Sequence, residues 1–357
     1  MKEKACRKMN APSKIEKRTA FEKAPDPVPT DNRFFGAEKS IGRRRFIRTG
    51  AAALSAVSVP GVSLASRLLE NDVNRVRPLH VFTKCLQFMN YDEMAALITK
   101  LGFAGADLAV RPGGQVLPGN VETDLPKALK SLRNAGVDSR MITTSIKSPD
   151  DEFTRLILKT MAELGIGFYR MGYLDYDNSK SITENIDAYR FTFEKFEKLN
   201  REYGVHGGYQ NHSGRRVGGP VWDLFLILKD RDPEFVGVQY DVRHATIEGG
   251  ASWPLGMKLL APWIRTVDIK DFVWSKNESG KWAIKNVPLG EGMVNFEAYF
   301  ELYKSLKFEG PVSIHYEYNL GGAEHGSRNP EMPLNEISTW LERDLIFMKN
   351  QFREFGL

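Results

Sequence analysis

From residue 78 onward the chain alternates short apolar runs with stretches whose apolar positions recur every three to four residues. The runs predict strands at 80–86, 105–110, 139–146, 168–173, 206–212, 235–241, 265–272 and 311–318. The amphipathic stretches predict helices at 92–101, 125–135, 151–164, 185–203, 221–229, 254–260, 295–306 and 334–352. Eight strand-and-helix units in about 280 residues match the size and rhythm of a single-domain α/β fold, the (β/α)8 TIM barrel. An open doubly wound sheet would need a Gly-x-Gly-x-x-Gly loop after the first strand, and none of that type is there.

Four of the apolar runs end in a burst of polar residues. They are Tyr209-Gln210-Asn211-His212, Tyr240-Asp241-Val242-Arg243-His244, Val267-Asp268-Ile269-Lys270-Asp271 and Ser313-Ile314-His315-Tyr316-Glu317. In a barrel the active site lies at the carboxyl ends of the strands, where these bursts occur. Side chains alternate along a strand, so Gln210 and His212 share one face, as do Asp268 and Lys270, and Ser313, His315 and Glu317. Each strand therefore aims polar atoms at one axis. Carboxylate oxygens, an imidazole nitrogen and an amide oxygen from separate strands make a first shell for Mn²⁺, Mg²⁺ or Zn²⁺. Buried strand-end groups that satisfy one another by hydrogen bonds are the plainer alternative for any one of them.

The formal charge of +5 and pI near 9.0 are those of a nucleic-acid binder, but the charge is unevenly placed. Residues 1–65 hold 14 Lys and Arg against 6 acids, which leaves 36 bases and 39 acids beyond them. The body is slightly acidic and has no Lys/Arg stripe, so nucleic acid is not expected as a partner. Within 1–65, Arg43-Arg44-Arg45-Phe46-Ile47-Arg48 precedes a short Ala- and Ser-rich run that ends at Ser63-Leu64-Ala65. Paired arginines with Phe, an aliphatic residue and a base resemble the twin-arginine export motif, and the small residues suit a signal peptidase. The run is too short and too polar to span a bilayer, so no stable membrane insertion is expected. These features divide the chain into a leader, 1–65, and a barrel domain, 66–357. The expected location is periplasmic or otherwise exported, with export machinery for folded proteins as a partner. Of the two cysteines, Cys6 lies in the leader and Cys85 in a predicted strand, so the body cannot form an internal disulfide.

The barrel order, Gln-Asn-His on the fifth strand, Asp-x-x-His on the sixth, Asp-Ile-Lys-Asp on the seventh and the late Pro288-Leu289-Gly290-Glu291-Gly292 loop resemble the xylose-isomerase-like sugar phosphate isomerase/epimerase superfamily. The resemblance runs from about Pro78 to the C-terminus. It implies one divalent ion, with ligands falling on Gln210, Asp241, Asp268 and His315. Only Asp241 keeps the family's residue type: Gln210 stands where Glu is usual, and Asp268 and His315 look like an exchange of imidazole and acid between adjacent strands. An amide at 210 cannot serve as a base. The bases left near the site are His212, His244, His315 and Glu317, and Lys270 is placed to stabilise an enediolate or steer a phosphate. Arg111 and Arg170 are candidate sugar or anion contacts, equally ion-pair members. Trp222, Trp253, Trp274 and Trp282 offer indoles to sugar rings, or pack the core or rim. His325 sits in a Gly-rich loop, 321–326, suited to close over the pocket.

The expected activity is isomerisation or epimerisation of a small carbohydrate by proton abstraction next to a carbonyl. A lyase or dehydratase on a keto-sugar or keto-glycoside would use the same site. A sugar-binding barrel without catalysis is the third reading. A homo-oligomer is compatible with all three.

Overall fold

The computed structural model describes residues 77–357, all of which lie in one compact unit. The leader, its twin-arginine motif and Ser63-Leu64-Ala65 lie outside the described residues. Eight parallel strands close into a barrel in the order β1 (Leu79–Phe82), β10 (Val312–Ile314), β7 (Ile264–Ile269), β6 (Val236–Asp241), β5 (His206–Gln210), β4 (Phe168–Arg170), β3 (Asp138–Thr144) and β2 (Gly105–Val110). Every residue of β2 and β6 is buried, as expected of strands covered by helices on one side and barrel contents on the other.

The outer ring comprises α1 (Tyr91–Leu101), α2 (Val121–Asn134), α3 (Thr154–Glu163), α4 (Ile182–Tyr203), α5 (Val221–Leu228), α6 (Val242–Gly249), α7 (Trp253–Leu260), α8 (Phe296–Ser305) and α9 (Leu334–Phe355). Local chemistry sets several of their ends. Asn90 and Ser181 form capping boxes with Glu93 and Glu184, and α1 and α4 stop at Gly102 and Gly204 in the left-handed region. Phe300 and Tyr303 pack α8 against Phe352 of α9, and Phe296 packs against its Phe347. No helix among the described residues is long and apolar enough to cross a membrane.

The first run stops as a strand at Phe82 and continues as the 3-10 helix Thr83–Leu86, which holds Cys85, and two further elements depart from the predicted pattern. The seventh run breaks at Lys270, after which β8 (Asp271–Lys276) leaves the barrel and pairs antiparallel with β9 (Trp282–Val287). Asp271 fixes that break, because its carboxylate accepts the N–H groups of Phe272, Gly290, Gly292 and Val294. Gly292 is required there, since a Cβ would fall 2.0 Å from the Asp271 carboxylate. The second departure is α6, which starts directly on the sixth strand: Asp241 caps it by accepting the His244 N–H at 3.0 Å.

Candidate active site

Barrel closure gathers the inward residues of the strands into one buried network. At its centre Gln210 donates from Nε2 to Asp241 (2.8 Å) and to Asp268 (2.6 Å). Arg170 (3.1 Å) and Tyr173 (2.5 Å) donate to its Oε1. Because guanidinium can only donate, Arg170 fixes which way the amide points. In this orientation Gln210 offers hydrogens, and no lone pair, to the gap between the two carboxylates. Asn211 clamps the Asp241 backbone, donating to its carbonyl and accepting from its N–H.

Asp268 also accepts from Gln239 at 2.7 Å and lies 3.0 Å from His315 Nε2. On β2, Asp107 accepts from Thr143 and Ser313 and lies 3.8 Å from the same imidazole nitrogen. Asp107, Asp268 and His315 are all buried, with one ligand atom from each within 4.8 Å of the others. This group could hold a metal ion. The His315 ring stacks on Phe82, 4.5 Å between centroids, and its Nε2 has no hydrogen-bond partner among the described residues. Burial drives the His315 pKa down to about 4, so the imidazole keeps its lone pair at neutral pH. An unpartnered neutral nitrogen facing two carboxylates fits a divalent cation by donor type and charge.

Lys270 reaches Asp241 at 3.0 Å and Glu317 at 3.7 Å, and Lys84 reaches Glu317 at 3.1 Å. Burial opposes the Lys270 charge, but Asp241 and Glu317 outweigh it and raise the pKa. Burial raises Asp241 in turn; with an ammonium at 3.0 Å we take Asp241 as the ionised partner of that lysine. Burial also lifts Asp268 to about 6, although Lys270 and Arg170 pull it down. Glu317 is half-buried, and although burial pushes its carboxyl up, the two lysines hold it well below the usual carboxylate range. It is therefore a poor base.

His212 and His244 form a close pair, with ring centroids 4.0 Å apart and planes tilted by 36°. Arg243 and Ser213 both approach His244 Nδ1, at 2.9 and 2.8 Å. Since Arg243 can only donate, the His244 proton sits on Nε2, 3.6 Å from Asp241. His212 Nδ1 lies 2.8 Å from the Ser213 carbonyl, so that nitrogen donates and Nε2 keeps its lone pair. Burial, then Lys270, lowers His212 to about 4. Burial, Lys270 and His212 lower His244.

Of the other residues singled out from sequence, Arg111 and Arg170 both cover the Phe82 ring, at 5.3 and 5.9 Å. Trp274 and Trp282 stand on the β8–β9 ribbon, whereas Trp222 is exposed on α5 and Trp253 is buried against Tyr299. The loop around His325 is pinned: Glu324 accepts the N–H groups of Leu320 and Gly322, and Arg328 donates to the Gln87 and Gly114 carbonyls. Sequence reasoning passed over Asp107, Lys84, Tyr173 and Arg243. Asp107 had a readable signal, as the one charged residue in the Gly105–Val110 run.

A profile of the family described as "Xylose isomerase-like TIM barrel" matches residues 95–343. A curated relative, "Uncharacterized protein MJ1311" from Methanocaldococcus jannaschii, is 23% identical over 145 residues, which is 40% of this chain and 47% of that protein. This chain thus spans about half the length of that relative. A xylose isomerase-like TIM barrel protein from Mycobacterium smegmatis, solved in complex with magnesium, superposes with a TM-score of 0.58 at 13% identity, covering 80% of this chain and 99% of that one. D-psicose 3-epimerase in the presence of D-fructose gives 0.57 at 14%, covering 77% and 99%. Other matching structures bear the names of sugar epimerases and of a probable dehydratase. At such identities the likeness is one of fold.

Proposed function

Since the chain belongs to the xylose isomerase-like TIM barrel family, we propose that it is an enzyme acting on a carbohydrate, an isomerase or epimerase that removes the proton next to a carbonyl. The observation that carries this reading is the buried Asp107, Asp268 and His315 group at the same barrel end as the cation Lys270 and the neutral His212. Asp268 and His315, with Asp107 from β2, would hold one divalent ion, Mn²⁺, Mg²⁺ or Zn²⁺, which when bound supplies Lewis-acid polarisation of the carbonyl. His212 takes the proton on Nε2, its ring fixed by the Nδ1 bond to Ser213. The Lys270 ammonium is buried and offsets the negative charge of the enediolate. Glu317, shared by Lys84 and Lys270, holds both cations in place. Gln210 cannot move a proton; its amide holds Asp241 and Asp268 side by side.

A lyase or dehydratase is the second reading, because loss of a group at the β-carbon needs an acid. His244 carries a proton on Nε2 with no hydrogen-bond partner among the described residues. Keto-sugars and keto-glycosides incubated in D₂O, with added Mn²⁺, Mg²⁺ or Zn²⁺ and after chelation, test both by NMR. Deuterium at the carbon beside the carbonyl, with the sugar otherwise intact, supports the isomerase or epimerase. Release of the aglycone supports the lyase, and binding without either outcome leaves a sugar-binding barrel. We also propose export by the twin-arginine route. Precursor with Arg43→Lys and Arg44→Lys should stay in the cytoplasm, and unchanged export would refute the assignment.

A further inference from the structure

We propose that the β8–β9 ribbon is a platform for a second sugar ring, so that the substrate class is a glycoside of at least two rings and not a free monosaccharide. The inference rests on the carbohydrate reading above. Directly paired residues of antiparallel strands share a face. Phe272, Trp274 and Lys276 therefore lie on one face with their partners Asn286, Ile284 and Trp282. The base of that face turns onto the barrel mouth. Asn286 donates to the Glu317 carbonyl at 3.1 Å and accepts from Arg243, the neighbour of His244.

From there planar groups continue outward. The Arg243 guanidinium lies 5.8 Å from the Phe272 centroid, Phe272 meets Trp274 edge-on at 6.4 Å, and Lys276 stands 5.9 Å from the Trp282 ring. Phe272 is buried, but Trp274 is 41% and Trp282 66% exposed. The ribbon thus carries two open indoles on the face that continues the pocket wall.

Size argues for a ring over a protein partner. A six-residue ribbon face is about 20 Å by 10 Å, roughly 200 Å², against about 800 Å² per partner in a standard protein interface. One or two sugar rings fit that area. Indole faces stack on their C–H surfaces, and Lys276 and Asn286 are placed for the hydroxyls. The ribbon is anchored at its base by Asp271 and Asn286, which keeps the indoles at a fixed reach from His212 and Lys270.

The test uses the full chain and matched pairs of a hexose and a disaccharide bearing it at the non-reducing end: glucose with cellobiose or maltose, and galactose with lactose. Affinities come from titration, and saturation-transfer NMR reports which ring touches the protein. In at least one pair the disaccharide should bind tenfold tighter or more, with saturation on both rings. The double variant Trp274→Ala, Trp282→Ala should reduce that ratio to about one, whereas Phe191→Ala, an exposed aromatic on α4, should preserve it. No pair preferring the disaccharide, or a preference untouched in the double variant, overturns the platform. So does a halving of the mass in solution by the double variant, which would assign the face to a second copy of this chain. Deuterium exchange on the keto-sugars and keto-glycosides above, which carry the carbonyl that a non-reducing glucose or galactose ring lacks, separates the two proposals. Exchange without a disaccharide preference removes only the platform, and a tryptophan-dependent preference without exchange removes only the enolising enzyme.

Discussion

His80 and His206, near the amino-terminal ends of β1 and β5, and His212, His244 and His315, past the carboxyl ends of β5, β6 and β10, all have their pKa values lowered by burial. Their surroundings differ. Neither ring nitrogen of His80 has a hydrogen-bond partner among the described residues, and His206 makes one bond, to the Glu234 carbonyl. Glycines make room for both rings: a Cβ on Gly105 would lie 2.1 Å from His80, and one on Gly237 would lie 3.0 Å from His206. At the other end the imidazoles face carboxylates, an arginine and a hydroxyl. The same residue type is filler at one end and a set of oriented lone pairs and protons at the other. Neutrality alone does not mark a site; oriented polar neighbours do.

The widest separation of the two ends is expected from a pair of amide substitutions. Asp268→Asn should lower deuterium exchange a thousandfold or more, equivalent to about 4 kcal/mol, and lose bound metal. His206→Asn, which keeps a donor for Glu234, should stay within about threefold of wild type. NMR exchange rates and metal content on both proteins check this, and equal losses would erase the distinction. Next comes Lys270→Met, which leaves Asp241 and part of Glu317 buried without their cation. Removing one partner of a buried pair should cost about 3 kcal/mol in urea unfolding. A neutral result would mean that Asp241 is protonated in the native protein.

At the other end, Gly105→Ala forces the His80 ring aside and should destabilise by about 2 kcal/mol, with exchange activity retained in the folded fraction. The smallest effect is one of pH. His206 has a folded pKa of about 4 against 6.5 when unfolded, so in that window the unfolded chain binds more protons. Its stabilising contribution is complete above pH 6.5 and lost as pH falls toward 4. Between pH 6.5 and 5, His206→Asn should therefore lose about 1.5 kcal/mol less stability than wild type. Asp344, raised by burial to about 7, has the opposite sign. Its contribution is present at low pH and lost as pH rises through 7, so total stability is flatter than the histidines alone would give. A His206→Asn curve parallel to wild type across that window would place a charged imidazole at the barrel floor.

The apolar rhythm of the chain by itself determined the barrel. All eight barrel strands overlap the predicted runs, and β2 matches its run residue for residue. Alternation along each strand also put Gln210, Asp241, Asp268, Lys270, His315 and Glu317 inside, because the direction of a side chain follows from position alone. Which of them touch was decided only by closure. Asp107 comes from β2, 206 residues from Ser313, to which it is bonded across the intervening β1, and no local pattern announces that neighbour. The orientation of the Gln210 amide depends on Arg170 and Tyr173, and the cation beside Asp241 is Lys270, while Asp271 turns outward to hold a loop. The ribbon escaped the sequence reading because the predicted run, 265–272, carries through the polar Lys270-Asp271 step, where β7 ends and β8 begins. The turn outward is imposed by hydrogen bonds from residues 290 to 294, about twenty positions later. Periodicity is a property of neighbours in the chain; partner choice and side-chain orientation belong to neighbours in space.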